Sequence, residues 1–435
     1  FGSRLKCTFA CSMASPPWHT LAACRHPSLL AATALAPPVG RRVVGLCRHS
    51  RQGPRQGLAT GRRTAPCSQL ALSERRLKEF LEAEVTHFAA MRRQTQTLGD
   101  LLCAAAAPRH AALQVHQEIP KHFAARLRQI EELDGWCSDR DLVDLHSRYS
   151  QSFREIRMTE VTEDLTEFTD VVRRLKDRQR QALPLVGEAL RRRRMSSDDA
   201  DRKFWTEWLN KFLRSRISTE MLTTQYMAIM KQTVQGNTAI TGIVDPECDP
   251  AAICQNAAEA ARQLCMHHMG VLPLVEIEVR KRRTHAFSYI PMYLHYILLE
   301  LLKNSCRATA LAALQAGSAG EALQALPVHV VICSDDRRVA MRISDLAGGI
   351  PFDVGDRIWD FGFSGATASS GPSTATRLSG HGLGLPLARL YAKYLGGSLS
   401  LVSLPDYGVD AYLSLPRIDV APLLPGGPGG AGRHG

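Results

Sequence analysis

Along the first half of the chain, apolar residues recur every three or four positions. Leu77, Phe80, Leu81 and Val85 form one such stripe, Leu142, Leu145, Tyr149 and Phe153 a second, and Trp205, Trp208, Phe212 and Leu213 a third. That spacing puts each set on one face of a helix. The pattern runs from Glu74 to about Lys231 with few prolines. Its interruptions at Ala107-Pro108, Gly135-Trp136 and Arg191 to Asp199 have the length of helix-to-helix loops. An antiparallel bundle of four or more helices is predicted over residues 74–235.

The period changes after Gly236. A short strand is predicted over Ala239 to Val244, a helix over Asp249 to His268, and a strand over Val271 to Arg280, where Val275, Ile277 and Val279 alternate with charged residues. A long helix from Pro291 to about Ala316 follows. Next come paired strands, Pro327 to Cys333 and Val339 to Ser344, a polar loop, and a helix from Pro386 to Leu395 closed by Gly396. A hairpin of Ser398 to Leu404 with Gly408 to Leu415 ends the pattern. Helices and hairpins in this order predict an α+β chain of two domains. The second, over 236–418, is an α/β sandwich whose sheet is covered on one side by helices. Pro and Gly dominate residues 419–435, which reads as a disordered tail.

Charge first suggests a nucleic-acid partner, since 54 basic residues face 42 acidic ones for a net +12. Its position removes that suggestion. Ten of the basic residues and none of the acids precede Glu74, leaving 44 basic against 42 acidic residues in the body. Residues 1–73 are rich in Ala, Ser and Arg, with pairs at Arg41-Arg42 and Arg62-Arg63. This is the composition of an organellar transit peptide. No apolar run approaches the ~20 residues of a membrane-spanning helix. Five of the twelve cysteines lie in the basic segment, and the other seven include no C-x-x-C pair, so neither a disulfide framework nor a zinc site is expected. His267-His268 read as surface helix residues, and Arg191 to Arg194 as a solvated helix end.

Three stretches carry candidate chemistry. On the long helix, Glu300, Asn304 and Arg307 share a stripe beside Lys303. Asn304 offers a neutral hard oxygen suited to Mg²⁺, and Glu300, one turn earlier, could take a proton from a hydroxyl or water; an exposed polar helix face has the same look. Asp345-Leu346-Ala347-Gly348-Gly349-Ile350 follows a strand. A carboxylate there can hold the amine of adenine while glycine lets the backbone approach the ring, although Asp before Gly-Gly is also an ordinary turn. Gly380-His381-Gly382-Leu383-Gly384-Leu385-Pro386 leads into a helix with Pro386 at its first position, exposing backbone N–H groups to an anion. Between the second and third stretches, Phe361 to Ser379 is placed as a lid would be.

Together these stretches resemble the ATP-binding domain of the GHKL superfamily, with its Bergerat-type fold. The closer resemblance is to the mitochondrial kinases that regulate pyruvate and branched-chain 2-oxo acid dehydrogenase complexes. Glu300 to Thr309 resembles that family's N-box, Asp345 to Ile350 its first glycine box, and Gly380 to Tyr391 its second. The likeness continues through Tyr391 to Gly397 and Asp406-Tyr407-Gly408-Val409-Asp410-Ala411, and reaches back to Ser215-Arg216-Ile217, Met221-Leu222 and Gln225.

The resemblance implies a general base at Glu300, with Lys303 in the catalytic set, a Mg²⁺ ligand at Asn304 and an adenine carboxylate at Asp345. It further implies nucleotide contacts at Arg307 and Gly349, a phosphate loop of Gly380, His381, Gly382, Leu383, Gly384 and Leu385, and lid contacts at Ser364 and Gly365. ATP and Mg²⁺ are the cofactors implied. The implied function is phosphorylation of serine on an E1α subunit in the mitochondrial matrix, by a homodimer that docks on lipoyl domains of the E2 core.

Departures accompany it. Val409 stands where the family usually has Thr, and His381 and Leu383 replace frequent aromatic residues. Tyr296, at four residues before Glu300, leans toward the branched-chain type. Two other readings are open at this point, a sensor histidine kinase and a nucleotide-binding scaffold without phosphotransfer. The bundle lacks a histidine kinase's phosphoacceptor motif, with Gln225-Tyr226 standing where Gln-His is often found, and a scaffold would need no Glu300.

Overall fold

In the computed structural model of the protein, residues 74–193, 199–237, 240–281, 287–317, 324–363 and 382–417 are described. The predicted presequence, the C-terminal tail and most of the predicted lid lie outside them. By its internal contacts the chain divides after Phe80. Residues 74–80 begin the first helix, and all contacts reported below lie within Leu81–Gly435. The boundary predicted near residue 235 falls inside that unit.

Seven α-helices lie in the first half of the chain among the described residues. They are α1 (Glu74–Ala90), α2 (Leu98–Ala105), α3 (Pro108–Glu131), α4 (Arg140–Arg157), α5 (Thr166–Gln179), α6 (Ala182–Arg193) and α7 (Asp199–Val234). Their starts are written locally. Thr97 and Asp100 close a capping box on α2, and the Asp139 carboxylate accepts the Asp141 and Leu142 N–H groups at the head of α4. α3 packs on α4 and α7 through Phe123, Tyr149, Phe153 and Phe212, all fully buried. A cation lies in the middle of this core. Arg126 donates to Tyr149 Oη (2.8 Å), Thr219 Oγ1 (2.7 Å) and the Ser215 carbonyl (3.1 Å), so its buried charge is hydrogen-bonded. The arginine run closing α6 is more than a solvated end. Arg192 pairs with Asp139 (2.6 Å) and Asp141, fastening α6 to the first turn of α4.

The sheet has five strands, β1 (Val275–Lys281), β2 (Val328–Ser334), β3 (Arg338–Asp345), β4 (Ser398–Leu404) and β5 (Gly408–Pro416), in the order β1-β2-β3-β5-β4. β1 and β2 are parallel and the other pairs antiparallel. Alternate residues Val328, Val330 and Ile332, Val339, Met341 and Ile343, and Ala411, Leu413 and Leu415 are buried under helices on one face. Those helices are α8 (Pro250–Met269), α9 (Pro291–Gln315) and, after the short α10 (Phe352–Gly355), α11 (Gly384–Tyr394). A helical bundle with a mixed, one-side-covered sheet is the predicted α+β fold.

Two local expectations fail. The strand predicted over Ala239 to Val244 is not formed by its described residues, because glutamine side chains of α7 take the backbone groups a strand would need. Gln232 Oε1 accepts from Thr241 N (3.2 Å) and Gly242 N (2.9 Å), and Gln225 Oε1 accepts from Ile243 N (2.7 Å). α11 begins at Gly384, two residues before the predicted Pro386. Proline is tolerated there because first-turn N–H groups have no intrahelical acceptor.

Candidate active site

α9 sets the frame. Pro291 starts it without needing an N–H acceptor, and Tyr293, Leu294, Ile297, Leu298, Leu301 and Leu302 bury its inner face. That packing turns Glu300 and Lys303 toward α11. Lys303 Nζ donates to Glu300 Oε2 at 2.6 Å, and the two side chains are only 20% and 14% exposed. Gly384, the first residue of α11, lies against the same carboxylate. A Cβ at Gly384 would fall 2.1 Å from Glu300 Oε2. The head of the helix after the glycine loop and the candidate base are therefore in van der Waals contact.

Five residues further along α9, about 7.5 Å by helical rise, the Ser305 hydroxyl acts on the Asp345 carboxylate, which also accepts from Ala347 N at 3.3 Å. Asp345 ends β3 and is 5% exposed. Burial pushes its carboxyl above the ordinary carboxylate range. The Ser305 hydroxyl and the Ala347 and Val409 N–H groups pull the other way, and Asp410 adds a small upward push. Val409 thus keeps a backbone contact with Asp345 although its side chain lacks the hydroxyl of threonine.

The glycines after Asp345 divide their work. At Gly349 (φ 72°) a Cβ would meet the Leu404 carbonyl oxygen at 2.2 Å, so this residue is small to admit the β4–β5 hairpin. Gly348 (φ 89°) has open space at its Cβ position, exchanges backbone hydrogen bonds with Tyr407 and Asp406, and leaves room beside Asp345. Ser403 Oγ accepts from Ile350 N (2.7 Å), pinning the loop to β4. Gly408 is another close approach, since a Cβ there would lie 2.0 Å from the Asp345 carbonyl oxygen.

The glycine loop closes the arrangement. Gly362 N donates to the Gly382 carbonyl (3.0 Å), and a Cβ on Gly382 (φ 68°) would sit 2.5 Å from Gly362 C, so the two described ends of the lid stretch meet. Leu383 is the N-cap of α11, without a side-chain cap, and Leu385 is half-buried in its first turn. Ser364, Gly365, Gly380 and His381 lie outside the described residues. Asn304 is exposed one turn after Glu300. Arg307 is half-buried, and its Nε has no hydrogen-bond partner among the described residues. α9 thus touches both Asp345 and Gly384, bringing the three candidate stretches to one place.

Sequence reasoning overlooked Ser305 and Gly408. Ser305 was inside the quoted stretch, but only the fold shows its hydroxyl meeting Asp345. Gly408 follows Asp406, which takes φ 62°, so the turn Asp406-Tyr407-Gly408 was its available signal.

Comparison with known proteins decides the family. The model described as mitochondrial branched-chain alpha-ketoacid dehydrogenase kinase matches residues 94–245, and that described as histidine kinase-, DNA gyrase B- and HSP90-like ATPase matches 290–419. A mitochondrial pyruvate dehydrogenase (acetyl-transferring) kinase isozyme 4 from Ictidomys tridecemlineatus is 31% identical over 315 residues, which is 69% of this chain and 75% of that protein. The Homo sapiens isozyme 4 has the same identity and coverage. A mitochondrial pyruvate dehydrogenase kinase of Arabidopsis thaliana is 29% identical over 318 residues, 70% of this chain and 84% of that protein. The chain belongs to the mitochondrial 2-oxo acid dehydrogenase kinase family. As a member of this branch of the GHKL superfamily it is an ATP-dependent serine protein kinase of mitochondria. No helix among the described residues is long and apolar enough to cross a membrane.

Proposed function

We propose that the protein phosphorylates serine on the E1α subunit of a mitochondrial 2-oxo acid dehydrogenase, branched-chain or pyruvate, and thereby inactivates it. The observation that carries this reading is the contact of Glu300 with the head of α11 on the same helix whose Ser305 reaches Asp345. A partly buried carboxylate beside a helix N-terminus suits proton abstraction next to a bound phosphate. Residues 74–235 would serve docking and regulation, and residues 236–418 would form the kinase domain.

The residues present fit Mg-ATP. Asp345 is a buried carboxylate held by neutral donors, so it has acceptor capacity for an exocyclic amine, and Gly348 leaves the space beside it open. Arg307 has an unsatisfied Nε, and Asn304 presents an exposed amide oxygen of the kind Mg²⁺ accepts. Bound Mg-ATP supplies the phosphoryl group and neutralises its charge.

Within this scheme Glu300 accepts the proton of the substrate serine as its oxygen attacks. Lys303 holds that carboxylate in place, and the first-turn N–H groups of α11 would face the phosphates of a bound nucleotide. Asn304 would ligate the metal, with Arg307, Gly349 and the Gly380 to Leu385 loop around the nucleotide and Ser364 and Gly365 on its lid. Docking on the lipoyl domain of an E2 core, homodimer formation and residence in the matrix belong to the same proposal, and rest on family resemblance.

The test combines purified protein, ATP and Mg²⁺ with the E1α proteins of both complexes, side by side. Acid-stable phosphoserine on one E1α is the expected result. An acid-labile phosphate on the protein itself, or no transfer to either E1α, would refute it.

A further inference from the structure

A cleft of about 670 Å³ opens between α7 and the segment Phe352–Asp360. Arg202, Lys203 and Arg214 line it from α7, and Asp353, Asp356 and Asp360 from the other side. Arg202 spans it to Asp360 at 3.9 Å. Beside this cleft α11 presents Arg389 and Lys393, one turn apart on one face. Arg389 is positioned by Trp359, its guanidinium 4.2 Å from the ring centroid, and its buried Nε has no partner among the described residues. Lys393 is held below the usual ammonium range, first by burial and then by the like charges of Arg389 and Arg214. Three cations from two helices are thus brought near one another, Arg214 on the α7 wall of the cleft and Arg389 and Lys393 on α11.

Distance connects this cluster to the base. Gly384, against Glu300, is the first residue of α11, and Arg389 and Lys393 lie about 7.5 and 13.5 Å further along its axis. An extended peptide covers about 3.3 Å per residue. From this geometry we infer that Arg214, Arg389 and Lys393 form a docking site for an acidic segment of the protein substrate. That segment carries its carboxylates about two to four residues from the phosphorylated serine. The inference deepens the protein-kinase reading above and depends on it.

The test uses the full chain and two fluorescein-labelled peptides, each with one serine. One carries aspartates at the second to fourth positions on both sides, and the other carries asparagines there. Fluorescence anisotropy is expected to give at least tenfold tighter binding of the aspartate peptide. That advantage should shrink as salt is raised from about 50 to about 500 mM. The Arg214→Glu, Lys393→Glu double variant should lose the advantage, and Lys393→Arg should keep it. Both sites are exposed, so unchanged melting curves are expected. Equal binding of the two peptides, or an advantage that survives the double charge reversal, overturns the docking site while leaving phosphorylation of E1α intact. Charge-dependent binding together with no phosphate transfer to either E1α overturns the kinase reading, and with it the cluster's role as a substrate site.

Discussion

Gly384→Ala separates catalysis from folding. Gly384 has no positive φ, and it opens α11, so alanine meets no backbone strain. Alanine is also the better helix former, by roughly 0.5–1 kcal/mol at interior positions. The added methyl carbon would nevertheless lie 2.1 Å from Glu300 Oε2, where an ordinary carbon-to-oxygen contact is about 3.3 Å. That atom is the far end of a flexible side chain. The carboxylate can withdraw by about 1 Å at little cost to stability, but it then leaves the position from which it meets the serine hydroxyl. A misplacement of about 1 Å costs on the order of 10²-fold in rate.

The expected variant melts at or slightly above the parent temperature, binds ATP with a KM within a few-fold of the parent, and loses about two orders of magnitude in kcat toward E1α. Gly355→Ala is the matched control, because nothing lies within 4 Å of its Cβ position, and it should be silent. Turnover by Gly384→Ala within twofold of the parent would refute the argument that Glu300 acts from this position.

Glu300→Gln, nearly isosteric, should retain ATP binding by calorimetry yet transfer no measurable phosphate to E1α. Asn304→Ala should instead weaken Mg-ATP binding, seen as a raised ATP KM that added Mg²⁺ partly offsets. Asp345→Ala should erode the preference for ATP over GTP. The folded Asp345 carboxyl titrates above its ordinary 3.8, so the folded state binds more protons and this group's contribution to stability falls as pH rises through that window. Asp345→Asn should therefore melt no lower than the parent at pH 7 while flattening that slope. His122 works in the opposite direction. Burial, then Arg126, Arg93 and Lys121, lower its pKa from 6.5 to about 3, so between those values the unfolded chain binds the extra proton. The parent should lose on the order of 2 kcal/mol from this group between pH 7 and pH 5, and His122→Gln should remove that part of the acid slope in denaturant titrations.

How far the sequence could be read depended on where each residue's partner lay. Glu300, Asn304 and Arg307 could be proposed as a set from the sequence because helical spacing alone puts them on one stripe beside Lys303, and Asp345 because it closes an alternating strand. The Glu300 to Gly384 contact was not legible, since it joins positions 84 residues apart. The glycine boxes were legible as strings, but their purposes were only partly so. Gly349 is small for the sake of the Leu404 carbonyl, a constraint imposed by a hairpin more than fifty residues later. The missing strand near Thr241 falls among the β-branched residues Ile240, Thr241, Ile243 and Val244. Two glutamines of α7 overrode that propensity by capturing its backbone groups.

The same distinction separates the rigid from the adjustable parts of the site. Glu300 and Ser305 share one helix, so the spacing between the base and the Asp345 anchor is fixed by helical rise and cannot change without breaking α9. The end proposed to face the phosphates belongs to α11, whose opposite end is held by the bundle. Tyr394 Oη bonds Ser218 Oγ at 2.7 Å and receives Gln96 N at 3.4 Å, and the charge of Arg216 on α7 acts on the Tyr391 phenol. Tyr391 in turn lies edge-on to Tyr296, one turn before Glu300, with ring centroids 5.2 Å apart. α11 is thus fastened to α7 at its C-terminal end and pressed against the candidate base at its N-terminal end. A shift of α7 that dragged Tyr391 and Tyr394 would act on the Gly384 contact with Glu300 before it could alter the spacing from Glu300 to Asp345. Regulation through the bundle would therefore register in phosphoryl transfer rather than in adenine recognition.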